Sequence, residues 1–375
     1  MENICLDVLT LCRYGSAVPD ELLDQALAID EGRAFLSGVV EPLGDSFDPR
    51  LGPIYNSLFT RVVERVAPDL TSRLRQPPTT EWPDTAERVY VLSRITLGAD
   101  VAVTSVLMDA AKQRYPGAKI LFVGPRKNYE LFEADARVEH FPAPYARSGS
   151  LKDRLAASGA LWIDDGMVID SDSRLTQLGL IRVCPDERYC FFNSRSYGDY
   201  SAVRLPQLAM EWALDRGAMR PYMARPYIAP KAVGGEPADI TVSLGVGENL
   251  AKRVDGSFEL ELMKLLNSTG ASVLIDLGGS AEERARVESV LQPGMRVHNG
   301  AFAPFAAEIR RSSLFIGYDS AAGHVASACG VPVISVAAGF ANPRMAARWR
   351  PLGTVLDGAS PTLLDEVRDV LPSFR

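Results

Sequence analysis

Two stretches of the chain combine residue types that suit anion binding and proton transfer. One is Gly317-Tyr-Asp-Ser-Ala-Ala-Gly-His-Val-Ala-Ser-Ala-Cys-Gly-Val-Pro. It reads as a strand end, a turn carrying Asp319 and Ser320, and a helix starting near Gly323 and His324. Glycine at position 323 lets a ligand approach the backbone. A helix start offers free N–H groups and the positive end of a dipole, which together suit a phosphate. Without a ligand, the same residues make an ordinary strand–helix–strand unit in which Asp319 and Ser320 cap the helix. The other stretch is Arg94-Ile-Thr-Leu-Gly-Ala-Asp-Val-Ala-Val-Thr. Here Asp100 sits between a short β-rich run and a helix. A carboxylate at that place faces the crevice beyond the strand ends, and aspartate is also a preferred N-cap residue.

Other acidic groups read differently. Asp164 and Asp165 adjoin at an expected strand end, where neighbouring side chains point to opposite faces, which argues against one shared metal site. Asp170-Ser-Asp172 is the only formal Asp-x-Asp considered for a cation, and Asp170 to Arg174 reads as a capped helix start on the loop side of its domain. None of the three histidines has a metal-ligand spacing.

The elements that must position these groups follow a βα rhythm. The pattern predicts strands at 88–93, 119–124, 161–165 and 189–193. A helix over 100–114 joins the first two, and another covers about 205–216. The rhythm repeats with strands near 239–244, 271–277, 313–317 and 331–336, and helices at 258–267, 281–291 and 363–371. Residues 1–75 read as helical, with a start at Pro19-Asp20. Arg75 to Asp84, polar and proline-containing, reads as a linker. Arg220 to Pro230, with three prolines, reads as an extended connection between domains. The expected architecture is therefore α/β: two facing, doubly wound, Rossmann-like domains over 81–225 and 226–375, with a helical extension over 1–80.

Composition narrows the functions. The chain has 375 residues, 47% hydrophobic and 23% charged, and a formal net charge of -7. That is ordinary for a globular protein, and no basic run suits a nucleic-acid polymer or anionic lipid. Five cysteines, with no Cys-x-x-Cys pair, argue against a disulfide framework or a structural zinc and fit a cytoplasmic setting. No apolar run reaches 18 residues, and the N-terminus lacks a signal-peptide pattern, so any membrane contact is expected to be peripheral.

The 317–332 segment resembles the Asp-(Ser/Thr)-Gly-x-x-His motif, followed by Gly-x-Pro, of the ADP-heptose:lipopolysaccharide heptosyltransferases, family 9 of the glycosyltransferases. Asp319, Ser320, His324, Ala326, Gly330 and Pro332 fall on matching positions, with Ala321 in place of a glycine. Arg94 to Val106 resembles the family's Arg-x-x-x-x-Gly-Asp-Val-x-x-Thr-x-Pro. Asp100 and Thr104 match, Ala99 replaces the glycine, and Val106 replaces the proline. Ser243 to Phe258 is similar to a segment whose lysine touches donor phosphate. Gly245 and Lys252 align there with one residue inserted, and Val254 replaces a tryptophan. Gly278-Gly-Ser-Ala-Glu282 resembles the loop beside the donor's base and ribose, although Glu282 also suits an exposed first helical turn.

The resemblance spans about residues 88–370. It implies the GT-B type of fold and an inverting, metal-independent glycosyltransferase without a cofactor. The donor would be a nucleotide diphosphate sugar, by family default a heptose, and the acceptor a glycan or glycolipid hydroxyl, as in lipopolysaccharide synthesis. It implies Asp100 as general base and Lys252, Asp319, Ser320, Gly323, His324 and Glu282 as donor-binding residues. A non-catalytic nucleotide-sugar binder and a nucleotide-sugar epimerase of the same architecture remain the alternatives.

Overall fold

The computed structural model describes residues 2–78, 80–217, 224–247, 249–254, 256–340 and 342–372. Two parallel sheets organise it. The first contains β1 (Arg88–Leu92), β2 (Lys119–Gly124), β3 (Val138–Pro142), β4 (Met167–Asp170) and β5 (Tyr189–Phe191), in the order β3-β2-β1-β4-β5. The second contains β6 (Ile240–Ser243), β7 (Val273–Asp276), β8 (Arg296–His298), β9 (Leu314–Tyr318), β10 (Val333–Ala337) and β11 (Thr354–Asp357), in the order β11-β10-β9-β6-β7-β8. Every pairing is parallel. The central strands β1, β4, β6 and β9 are buried along nearly their whole length, as helices on both faces of a parallel sheet require.

Several elements depart from the sequence expectation. The strand expected over 161–165 lies at Met167–Asp170, after a turn at Gly166 with φ +70°. A Cβ at Gly166 would come within 2.6 Å of the Arg88 carbonyl oxygen, so the chain can turn beside β1 there only with glycine. Asp164 and Asp165 thus precede the strand and take separate partners: Asp164 accepts from Trp162, and Asp165 from Arg88 and Tyr90. Strands β3, β8 and β11 lie at sheet edges and are largely exposed or half-buried, so they lack the apolar runs that reveal the central strands.

The N-terminal helices include Glu2–Arg13, Asp20–Ala28 and Leu51–Val66. Their core is continuous with the first lobe: Val39, Phe59 and Val62 belong to one buried cluster with Leu151, Leu155, Leu178 and Ile181. The stretch read as a linker is a packed strap. Trp82 is buried, 6.2 Å from the Tyr115 ring and 6.0 Å from that of Trp212. Buried Arg75 stacks 3.7 Å over Tyr189 and pairs with Asp186. Of the proline-rich connection, residues 220–223 lie outside the described residues. The remainder is extended and bound to the first lobe through Ala229 N–H to Leu131 O (2.7 Å) and Tyr227 N–H to Ser105 Oγ (3.1 Å).

The lobes meet along a closed seam. An ideal Cβ on Gly98 would lie 3.1 Å from His324 Cδ2 and 3.2 Å from Ala321 Cα, so glycine permits this approach. From the second lobe, the helix Pro343–Trp349 inserts Arg348, fully buried, among carbonyl oxygens of the first. Its guanidinium donates to Ser194 O (2.8 Å), Asp199 O (2.8 Å) and Tyr197 O (3.2 Å). Arg344 donates to Phe47 O (2.8 Å), tying in the N-terminal extension. No helix among the described residues is long and apolar enough to cross a membrane.

Candidate functional site

In a doubly wound sheet, ligands bind beyond the carboxyl ends of the strands where strand order reverses. Those points lie between β1 and β4 in the first sheet and between β6 and β9 in the second. Asp100 follows β1. Lys252 follows β6, and Asp319 and Ser320 follow β9. These four of the seven predicted residues therefore flank reversal points.

Asp100 is not a helix cap. The helix begins at Leu97, and a π turn runs over Asp100–Thr104 before the helix Ser105–Arg114. The carboxylate is fully buried and both oxygens are occupied. Ser93 Oγ (2.7 Å) and Asn128 Nδ2 (2.6 Å) donate to Oδ2; the Arg94 N–H (2.7 Å) and Thr104 Oγ1 (2.7 Å) donate to Oδ1. A carboxylate has about four lone-pair sites, and these donors fill them. Burial raises its pKa above the ordinary carboxylate value, while hydrogen bonds from Thr104, Ser93 and Asn128 pull the other way. Ser93 and Asn128 were not singled out from sequence, because their loops meet Asp100 only in the folded sheet.

On the second lobe, the helix Ala321–Cys329 starts two residues earlier than expected. Ser320 occupies its N-cap position in extended conformation, yet its side chain caps nothing. Ser320 Oγ is buried and has no hydrogen-bond partner among the described residues. Beside it, Lys252 forms an ion pair with Asp319 and also donates to the Asp319 carbonyl oxygen at 3.3 Å. The lysine side chain keeps 18% exposure and the aspartate 7%, so Asp319 holds the ammonium at the rim. Gly339 (φ +66°) supports this arrangement: a Cβ there would stand 2.5 Å from the Ala251 backbone.

The remaining predicted residues are placed as follows. Gly323 is buried in the first turn of this helix, and a Cβ there would meet only the Phe315 ring, at an ordinary contact distance of 3.7 Å. His324 lies 5.7 Å from the Trp349 ring, and burial lowers its pKa, favouring the neutral form. Glu282 is exposed. The acid that reaches the glycine loops is its neighbour Glu283, which accepts from the Gly279 N–H at 2.9 Å and abuts Gly245. Adjacent helical residues point about 100° apart, so a one-residue shift exchanges solvent for the loop. Among the described residues, no group of three or more His, Cys, Asp or Glu is arranged to hold a metal ion.

Solved structures carry the same two-lobed arrangement. An E. coli heptosyltransferase, WaaC, with ADP-2-deoxy-2-fluoro heptose superposes with a TM-score of 0.55 at 16% identity, covering 75% of this chain and 98% of that one. A family 9 glycosyltransferase from Veillonella parvula gives 0.54 at 14%, covering 78% and 93%. The E. coli ADP-heptose lps heptosyltransferase II gives 0.54 at 15%, covering 75% and 98%. The chain has the fold of a family 9 heptosyltransferase, of the GT-B type. No family profile and no curated protein sequence matches it. Against the heptosyltransferase pattern, Ala99 stands where the glycine before the aspartate is expected. The π turn over Asp100–Thr104 begins at the very next residue, and such turns are frequent at functional sites.

Proposed function

We propose that this chain transfers a sugar from a nucleotide diphosphate sugar to an acceptor hydroxyl by direct displacement with inversion and without a metal ion. The observation carrying this reading is the Ser320 hydroxyl, buried, unpartnered and placed at a helix start beside Lys252. A buried polar group without a partner costs free energy, and an incoming diphosphate oxygen would meet it. In this mechanism Lys252, Ser320 and the first N–H groups of the helix Ala321–Cys329 stabilise charge on the departing diphosphate. Fixed donors aimed at developing charge contribute roughly 10²–10³-fold each in a known hydrolase case. Asp319 fixes the lysine, and neutral His324 adds no competing charge.

Asp100 is the proposed base. Burial, which favours its protonated form, suits that task. Proton uptake requires one of its four donors to turn away, and the hydroxyls of Ser93 and Thr104 can do so by rotation. The same saturation favours a second reading, a nucleotide-sugar binder that performs no transfer. A heptose donor and a glycan or glycolipid acceptor at the inner face of the cytoplasmic membrane follow from the family resemblance.

The test begins with a thermal-shift screen of nucleoside diphosphates and nucleotide sugars. A ligand at ~100 times its Kd stabilises the fold by about 2.7 kcal/mol. Absence of any shift overturns both readings. A shift with neither transfer nor donor hydrolysis selects the binder.

A further inference from the structure

A cavity of about 1020 Å³ lies away from Ser320 and Lys252, where the helix Leu51–Val66 of the extension faces the carboxyl end of the first sheet. Its size matches the upper range of ligand pockets. This helix forms one wall through Tyr55, Asn56 and Thr60. The opposite wall includes Asp172, just beyond β4, and Asn193, beyond β5.

Asp172 combines two features typical of ligand sites. Its backbone has φ +72°, a left-handed conformation that the surroundings must impose on an aspartate. Its side chain is fully buried, and only one oxygen is satisfied. Oδ2 accepts from Ser194 Oγ and the Arg195 guanidinium, with Arg94 Nη1 3.5 Å away, whereas Oδ1 has no partner among the described residues. Arg195 also donates to Gly44 O at 2.8 Å, so one arginine joins the carboxylate to the extension. A Cβ on Gly44 would stand 3.0 Å from Arg195 Nε and 3.3 Å from Arg174 Nη2, so glycine leaves room for both guanidinium groups.

The chemistry of the lining selects the ligand class. Asp48, Glu64 and Asp172 balance Arg61, Arg195 and Arg216, which disfavours a strongly anionic guest. Amides at Asn56, Gln76 and Asn193 offer paired donors and acceptors, and half-buried Phe191 and Tyr197 offer apolar ring surface. Hydroxyls flanking C–H faces, as in a neutral sugar, meet both kinds of group. The cavity also adjoins the seam between the lobes. Arg94 donates to Ser194 Oγ at 2.8 Å, and its guanidinium lies 5.7 Å from the Trp349 ring of the second lobe.

We propose that this cavity, walled by the N-terminal extension, binds a neutral saccharide portion of the acceptor, with Asp172 Oδ1 accepting a hydrogen bond from a sugar hydroxyl. The inference rests on the transferase reading and adds a site to it.

Saturation-transfer NMR on the full chain, with a panel of methyl glycosides of neutral hexoses and heptoses, tests it. At least one glycoside is expected to receive saturation from the unaltered protein. That signal should fall at least fivefold in Asn56→Trp, which fills the cavity, and in Asp172→Asn, while the nucleotide thermal shift persists. Thr60→Trp, one turn further along the helix, serves if Asn56→Trp does not fold. A silent panel, or a signal undiminished in the cavity-filling variant, overturns the inference alone when the nucleotide shift is intact. Loss of that shift in the unaltered protein overturns the transferase reading instead.

Discussion

On the first lobe, the protein itself fills every lone-pair site of the Asp100 carboxylate; on the second, the Ser320 hydroxyl is buried and unmet. Both residues follow central strands at reversal points, yet one is held rigidly and the other has a hydrogen-bonding capacity left over. A charge buried without partners would unfold its surroundings or take up a proton, so Asp100 needs its donors before any ligand arrives. A hydroxyl is cheaper to leave open. The division of labour follows from that difference: the first lobe presents a fixed carboxylate, and the second keeps its donors in reserve for an anion.

Removing Asp100 attacks the saturated side and carries the largest expected effect. Asp100→Ala orphans four donors and should lower stability by about 3 kcal/mol in urea unfolding. Asp100→Asn keeps the shape and should lose less stability while transfer falls ~10²-fold or more; unchanged turnover in this variant would remove Asp100 as base. The seam comes next. Arg348→Ala withdraws three strong donor contacts from first-lobe carbonyls and should cost about 2 kcal/mol, with a larger radius of gyration in small-angle scattering as the lobes part. An unchanged radius would mean that the shared core around Ala322 and Val325 holds the lobes by itself.

Ser320→Ala sharpens the contrast most directly. No protein hydrogen bond is lost, so the melting temperature should hold or rise slightly. Nucleotide-sugar binding should weaken about tenfold, equivalent to about 1.4 kcal/mol, by calorimetry. A drop in stability with undiminished binding would make Ser320 a structural group after all. The smallest effect concerns pH. Burial raises the folded pKa of Asp100, so the folded chain holds this proton to higher pH than the unfolded chain does. Its contribution to stability is therefore fully present below the unfolded carboxylate pKa and is lost as pH rises through the folded value. The acid limb of the transfer profile should correspondingly lie above the ordinary carboxylate range and vanish in Asp100→Asn.

The central strands were readable because burial on both faces demands apolar, β-branched runs such as Arg88-Val-Tyr-Val-Leu and Leu314-Phe-Ile-Gly-Tyr. Edge strands such as β8, exposed at Arg296 and Val297, carry no such demand and were missed. The turn-and-helix signature at Asp319 and Ser320 and the family resemblance at Lys252 point to residues that follow β9 and β6, at one reversal point. Gly323 lies inside the helix's first turn, and beside the glycine loops it is Glu283, not the exposed Glu282, that accepts from Gly279. Arg75 to Asp84 looked like a linker because prolines and polar residues dominate it, and its buried anchors, Arg75 and Trp82, are too sparse to make a pattern.

Local sequence thus determined the βα rhythm and the two stretches that carry chemistry, because burial periodicity and turn chemistry act over a few residues. Only the tertiary structure decided which side chains meet across long chain separations: Asn128 on Asp100, Lys252 on Asp319, Arg348 on the 194–199 loop, and the extension against Asp172. Those contacts depend on strand order and lobe docking, and the order β3-β2-β1-β4-β5 leaves no periodic trace in the residues it brings together.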